Sequence, residues 1–84
     1  MNIKDIANRF IKLIKSEAPK EDIEPYFFYL NNIPQINEQG IKILRMRLLE
    51  KKTFKQIGEV FGFTRERARQ QFYKGMHYVE EASK

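Results

Sequence analysis

The sequence has no cysteine and no tryptophan, a single histidine, four glycines and three prolines. Without thiols there is no disulfide framework and no thiolate metal site, and one imidazole cannot complete a zinc site. No apolar run is long enough to span a bilayer. The N-terminus carries Lys4 and Asp5 and has no extended apolar stretch, so it does not read as a secretion signal. There is no carboxylate pair in an apolar setting and no Gly-rich phosphate loop. These absences set the expectation of a reduced, cytoplasmic protein with no metal, no cofactor, no membrane partner and no enzymatic activity. His77 reads as a phosphate neighbour or an exposed side chain, not a catalyst.

What is present is charge of one sign in one place. The 84 residues hold 16 Lys+Arg against 11 Asp+Glu, a formal net charge of +5. Residues 1–41 carry Lys4, Arg9, Lys12, Lys15 and Lys20 against Asp5, Glu17, Glu21, Asp22, Glu24 and Glu38, a net of −1. Residues 42–75 carry Lys42, Arg45, Arg47, Lys51, Lys52, Lys55, Arg65, Arg67, Arg69 and Lys74 against Glu50, Glu59 and Glu66, a net of +7. A basic excess gathered into one segment of a folded domain is the footprint of a polyanion partner, nucleic acid among them, and equally of a solvated surface face.

The hydrophobic content, 42%, suffices for one small, thin-cored domain. The periodicity is helical throughout, so the expected fold class is all-α, a small helical bundle. Ile3, Ile6, Ala7, Phe10, Ile11, Leu13 and Ile14 recur at helical steps, with Asn2 as cap and Ala18-Pro19 as terminator. A second helix is expected from about Asp22 with Pro25 in its first turn. Its run Tyr26-Phe27-Phe28-Tyr29-Leu30 also suits a buried strand, but no strand appears elsewhere to pair with it. Asn37 is the next cap; Ile41, Leu44, Leu48 and Leu49 form a stripe with Ile43 at its edge, and Met46 interrupts the polar side. Thr53 caps a short helix through Phe61, with Ile57, Val60 and Phe61 expected inward. Gly62 ends it. Thr64 caps a last helix running to about Glu81, with Glu66 favourable to its dipole.

A short helix, the turn Gly62-Phe63-Thr64 and a longer helix have the proportions of a helix-turn-helix. Gly58 is expected where the two helices cross. Projected at about 100° per residue, the last helix puts Ala68, Phe72, Gly75, Met76 and Val79 on one face. Glu66, Arg69, Gln70, Tyr73 and His77 lie on the other, flanked by Arg67 and Lys74. Arg reads guanine O6/N7, Gln reads adenine N6/N7 and Glu accepts from cytosine N4, while flanking cations suit phosphates.

Two strings then resemble a known family. Thr53-Phe54-Lys55-Gln56-Ile57-Gly58, followed by Phe61-Gly62-Phe63-Thr64-Arg65-Glu66-Arg67-Ala68-Arg69-Gln70, closely resembles region 4 of bacterial primary sigma factors. Ile43-Leu44-Arg45-Met46-Arg47 resembles that family's Val-Leu-Arg-Met-Arg, with a slightly shortened loop after it. The resemblance spans roughly residues 37–79. It implies a domain that reads the −35 promoter element of double-stranded DNA through the second motif helix and docks on the β-subunit flap of RNA polymerase. Carried over, Arg65, Glu66 and Gln70 would contact bases. Thr64, Arg67 and Arg69 would meet phosphate, with Arg45, Arg47, Lys55, Tyr73 and Lys74 as further phosphate contacts. Leu44, Leu48, Ile57 and Phe61 would serve polymerase docking where they are not core.

The sequence departs from the family at Ala68, smaller than the usual Ile or Val, and at Gln71 and Phe72. Phe72 is expected to meet residues 2–30, and Phe27, Phe28 and Phe72 are the expected protein-interface residues. Residues 1–35 form an N-terminal helical extension to a unit at 37–82. The chain opens at Met1 on its own amphipathic helix, and nothing resembles the region that melts the −10 element. The expectation is therefore a small complete protein of phage or mobile-element type, in the bacterial nucleoid. Three functions stay open: a promoter-reading factor, a dimeric helix-turn-helix repressor, and a polymerase-binding sigma mimic. For the repressor, Tyr26–Tyr29 or the 3–14 stripe would form the homodimer interface.

Overall fold

The computed structural model describes residues 2–84. They form five helices: α1 (Ile3–Lys15), α2 (Lys20–Leu30), α3 (Glu38–Leu48), α4 (Phe54–Phe61) and α5 (Arg65–Ala82), with no strand among the described residues. The fold is all-α, as the periodicity predicts.

Four of the helices start where a polar side chain takes up an orphan amide. Asn2 Oδ1 accepts from Asp5 N at 2.9 Å and Asn37 Oδ1 from Gly40 N at 2.8 Å. Thr53 and Gln56 form a reciprocal capping box, and Thr64 Oγ1 accepts from Arg67 N at 3.1 Å. α2 lacks a side-chain cap; Pro19 sits at its N-cap, and Glu21 and Asp22 supply charge favourable to the dipole. It therefore begins two residues earlier than expected, and Pro25 is its sixth residue, beyond the first turn. Pro25 has no N–H to donate to the Glu21 carbonyl, an interruption that falls where both residues are exposed.

α1 ends at Lys15, before Pro19 has any effect. Glu17 adopts a left-handed φ of 54°, and the amides of Glu17 and Ala18 return to the carbonyls of Ile14 and Leu13, a Schellman closure.

α5 packs against α4, α3 and α1, and α1 pairs with α2. The buried side chains form one cluster running from Ala7 to Val79. Phe10 meets Phe27 edge-to-face at 5.4 Å. Leu30, Ile43, Leu44, Ile57 and Val79 are sealed beside them. Each such side chain contributes about 1.5–3 kcal/mol through burial. Gly75 lets α5 approach the Leu44 side chain, where an added Cβ would already be in contact at 3.4 Å. Residues near each end of the sequence meet as well: Asn8 Nδ2 donates to the Ser83 carbonyl at 3.0 Å. Two apolar residues depart from their expected sides: Met46, on the polar side of α3 by sequence, is buried, and Val60 is 63% exposed, because the short α4 turns only Ile57 and Gly58 fully inward.

Candidate nucleic-acid interface

The turn between α4 and α5 is built on two glycines with different roles. Gly62 takes a φ of 74°, the left-handed conformation that reverses the chain. Gly58 is small because of the turn itself, and the expected helix crossing is not the reason. A Cβ there would lie 2.5 Å from the Phe63 carbonyl oxygen and 3.2 Å from that of Thr64. The Phe63 amide donates to the Gly58 carbonyl at 2.8 Å and fixes that close approach. The N-terminus of α5 is thus held close against α4.

On α5, Ala68, Phe72, Gly75 and Val79 are buried, and Met76 is half-buried. Arg65, Glu66, Arg67, Arg69, Gln70, Tyr73, Lys74 and His77 are all exposed. The two-faced projection of the sequence is therefore the arrangement in space. Arg65 lies over a concave patch that it shares with Arg47, Thr53, Phe54 and Lys55, which brings cations from three helices or their caps together. Arg67, on the other flank, lays its guanidinium over the Phe63 ring at 4.7 Å. Phe63 looks like a plain turn residue in the sequence. Its spacing of four residues from Arg67 is the signal that could have revealed the stack.

Glu66 and Arg69 are not independent. Arg69 donates to both carboxylate oxygens, Nη2 to Oε1 at 2.6 Å and Nε to Oε2 at 3.1 Å. The Arg69 hydrogen bond is the chief cause that holds the Glu66 carboxyl below its ordinary value, and the positive charges of Arg69 and Arg65 add to it. Glu66 is accordingly an acceptor, with no proton to give. Tyr73 is 54% exposed, near Arg69 on one side and Phe54 on the other.

Other predicted residues sit differently from expectation. Arg45 turns to α2, with its Nη2 3.3 Å from Glu24 Oε1 and its guanidinium 5.2 Å from the centre of the Phe27 ring. It is not among the cations gathered at Arg65. Arg47 is half-buried, stacks over Phe54 at 4.3 Å and donates to the Lys52 carbonyl at 3.0 Å, so it also braces the α3–α4 loop. Thr64 spends its oxygen on the helix cap. Lys74 borders a hollow with Gln71, Gly75 and residues 35–37, on the side of α5 away from Arg65. Phe27, 1% exposed, belongs to the core and offers no surface to a partner. Phe72 is 7% exposed; its ring neighbours are Phe54 and Tyr73, and it belongs to the core cluster that also holds Ala7, Phe10 and Phe27. Phe28 alone of the three is open. Leu44 and Ile57 are wholly buried, while Leu48 and Phe61 keep some exposure.

Among the described residues no group of His, Cys, Asp or Glu could hold a metal ion, and no helix is long and apolar enough to cross a membrane. Residues 33–79 match the family model described as Sigma-70, region 4. No curated protein and no solved structure matches the chain.

Proposed function

The chain belongs to the sigma-70 region 4 family, and from that membership we propose that α5 enters the major groove of promoter DNA at a −35-like element. The carrying observation is the exposed head of α5. It leaves Arg65, Glu66 and Gln70 exposed within its first two turns, directly after a turn in which Gly58 sits against the Phe63 carbonyl. Arg65 and Gln70 are suited to purine edges and Glu66 to a cytosine amino group. Arg67 on one flank, and Lys55 with the outer face of Arg47 on the other, fit the two phosphate walls of a groove. The deciding measurement is fluorescence anisotropy on duplexes with intact and scrambled elements. Sequence-dependent binding that weakens on Arg65→Ala, Glu66→Ala or Gln70→Ala supports the reading; binding indifferent to all three removes it.

A polymerase contact is the second part of the proposal. With Leu44 and Ile57 inside the core, it would fall to Leu48 and Phe61. Copurification with polymerase that survives nuclease treatment and is lost on Phe61→Ala supports it; copurification that disappears with the DNA does not.

A further inference from the structure

Away from the head of α5 the surface carries two features that complement each other. The first is a knob on α2. Phe28 is 76% exposed, and its ring meets that of Tyr29, 42% exposed, edge-on at 5.4 Å. Glu21 and Glu24 stand beside Phe28, two turns and one turn earlier on the same exposed face. The second is a hollow between α3 and α4. Met46, Val60 and Phe61 give it an apolar lining, with Lys42, Arg45 and Glu50 around it. Val60 is the aliphatic side chain most open to water on that side, at 63% exposure.

The knob joins an aromatic ring to Glu21 and Glu24; the hollow joins an apolar lining to Glu50 and to Lys42 and Arg45, which pair with Glu38 and Glu24 of their own chain. The acidic charge of the knob argues against nucleic acid as its occupant. The hollow offers an apolar lining for the ring and is part of the same molecule, and its cations, with side chains 60% (Lys42) and 39% (Arg45) exposed, stay open to a further carboxylate. The two features share an edge, because Arg45 borders the hollow and lies 3.3 Å from Glu24. A knob and a hollow side by side on one surface meet the requirement of a two-fold contact. Rotation sets each copy's knob into the other's hollow, both are filled at once, and no surface is left to recruit a third copy. We infer that the outer face of α2 and the α3–α4 hollow form a self-complementary dimer interface, with a second copy of this chain as the occupant. Phe28 is its apolar anchor, and Glu21 meets Lys42 across the two-fold axis. The inference stands independently of DNA reading. It has one consequence for the polymerase proposal: Phe61 cannot serve both contacts at once.

Sedimentation velocity of the full chain without DNA tests this. The wild type forms a reversible dimer that weakens with added salt. Phe28→Glu and Val60→Glu each weaken it by about tenfold or more, the scale of an anchor residue. Circular dichroism melting shows both variants folded, and Phe28→Ala is a milder companion. The diagnostic measurement mixes the two variants. Neither homodimer keeps an intact knob-in-hollow contact, but the mixed dimer keeps one, so the mixture associates more strongly than either variant alone. Glu21→Lys weakens the dimer, and adding Lys42→Glu restores it. A monomeric wild type, a dimer untouched by Phe28→Glu, or a mixture no stronger than its components overturns the inference.

Discussion

Glu66 and Arg69, one turn apart on the exposed face of α5, hold each other through two charge-assisted hydrogen bonds at 2.6 and 3.1 Å. A base-contacting candidate and a phosphate-contacting candidate are therefore one unit before DNA arrives. The Glu66 carboxyl titrates below its ordinary value, chiefly because of the Arg69 hydrogen bond. A carboxyl depressed in the folded state adds stability above the unfolded-chain value, and that contribution disappears as pH falls through the lowered value. Carboxyl NMR titration should place the Glu66 midpoint below 4.5, and Arg69→Ala should return it toward that value. An unchanged midpoint would show that the pair does not persist in solution.

DNA affinity should separate the cations by position. Arg65→Ala, Glu66→Ala and Gln70→Ala each cost about 1–3 kcal/mol on the preferred duplex and relax its sequence preference. Lys55→Ala and Arg67→Ala weaken all duplexes alike and lower the salt slope by about one each. Arg45→Ala leaves both quantities unchanged, because its guanidinium faces Glu24 on α2. Anisotropy across a salt series checks all six.

The two motif glycines should fail differently. Gly58→Ala forces a methyl against the Phe63 carbonyl, which an added Cβ would approach to 2.5 Å, and costs about 2–3 kcal/mol. Gly62→Ala meets nothing within 4 Å and suffers only from its φ of 74°, at about 1 kcal/mol. Urea unfolding of the two variants gives the order; equal costs would mean that the turn backbone yields at Gly58.

Neighbouring phenylalanines on α2 should behave oppositely. Phe27→Ala empties a site that is 1% exposed and costs about 3–5 kcal/mol. Phe28→Ala, at a site 76% exposed, should change monomer stability by less than about 0.5 kcal/mol. Phe72→Ala should resemble Phe27→Ala, because Phe72 is 7% exposed and part of the same core cluster. Thermal melts at low protein concentration measure these effects free of any dimer.

The sequence is legible wherever one residue's chemistry acts locally. Asn2, Asn37, Thr53 and Thr64 cap the helices they precede, and Gly62 turns left-handed, because a side-chain oxygen or a missing Cβ acts within a few residues of itself. The inward face of α5 also follows, since Ala68, Phe72, Gly75 and Val79 are separated by helical steps. Legibility fails where the cause is distant or unphased. α2 opens on a proline without a side-chain cap, and its five consecutive large residues carry no period to show that Phe27 points in and Phe28 out. Arg45 and Arg47 read as free cations until Glu24, Phe27, Phe54 and the Lys52 carbonyl are brought to them by tertiary packing. Gly58 carries the right inference for the wrong neighbour, since nothing local reveals that the turn folds back over it.

The hydrogen bond from Asn8 to the Ser83 carbonyl joins residues 75 positions apart. α1 lies on α5 and shares its core, so its apolar stripe has no complete resting place until residues near 83 have left the ribosome. Until then residues 3–15 can bury only the part of that stripe that faces α2, where Phe10 meets Phe27. The first helix is thus completed on one side by neighbours close in sequence and on the other by contacts of high sequence separation, the kind that slows folding.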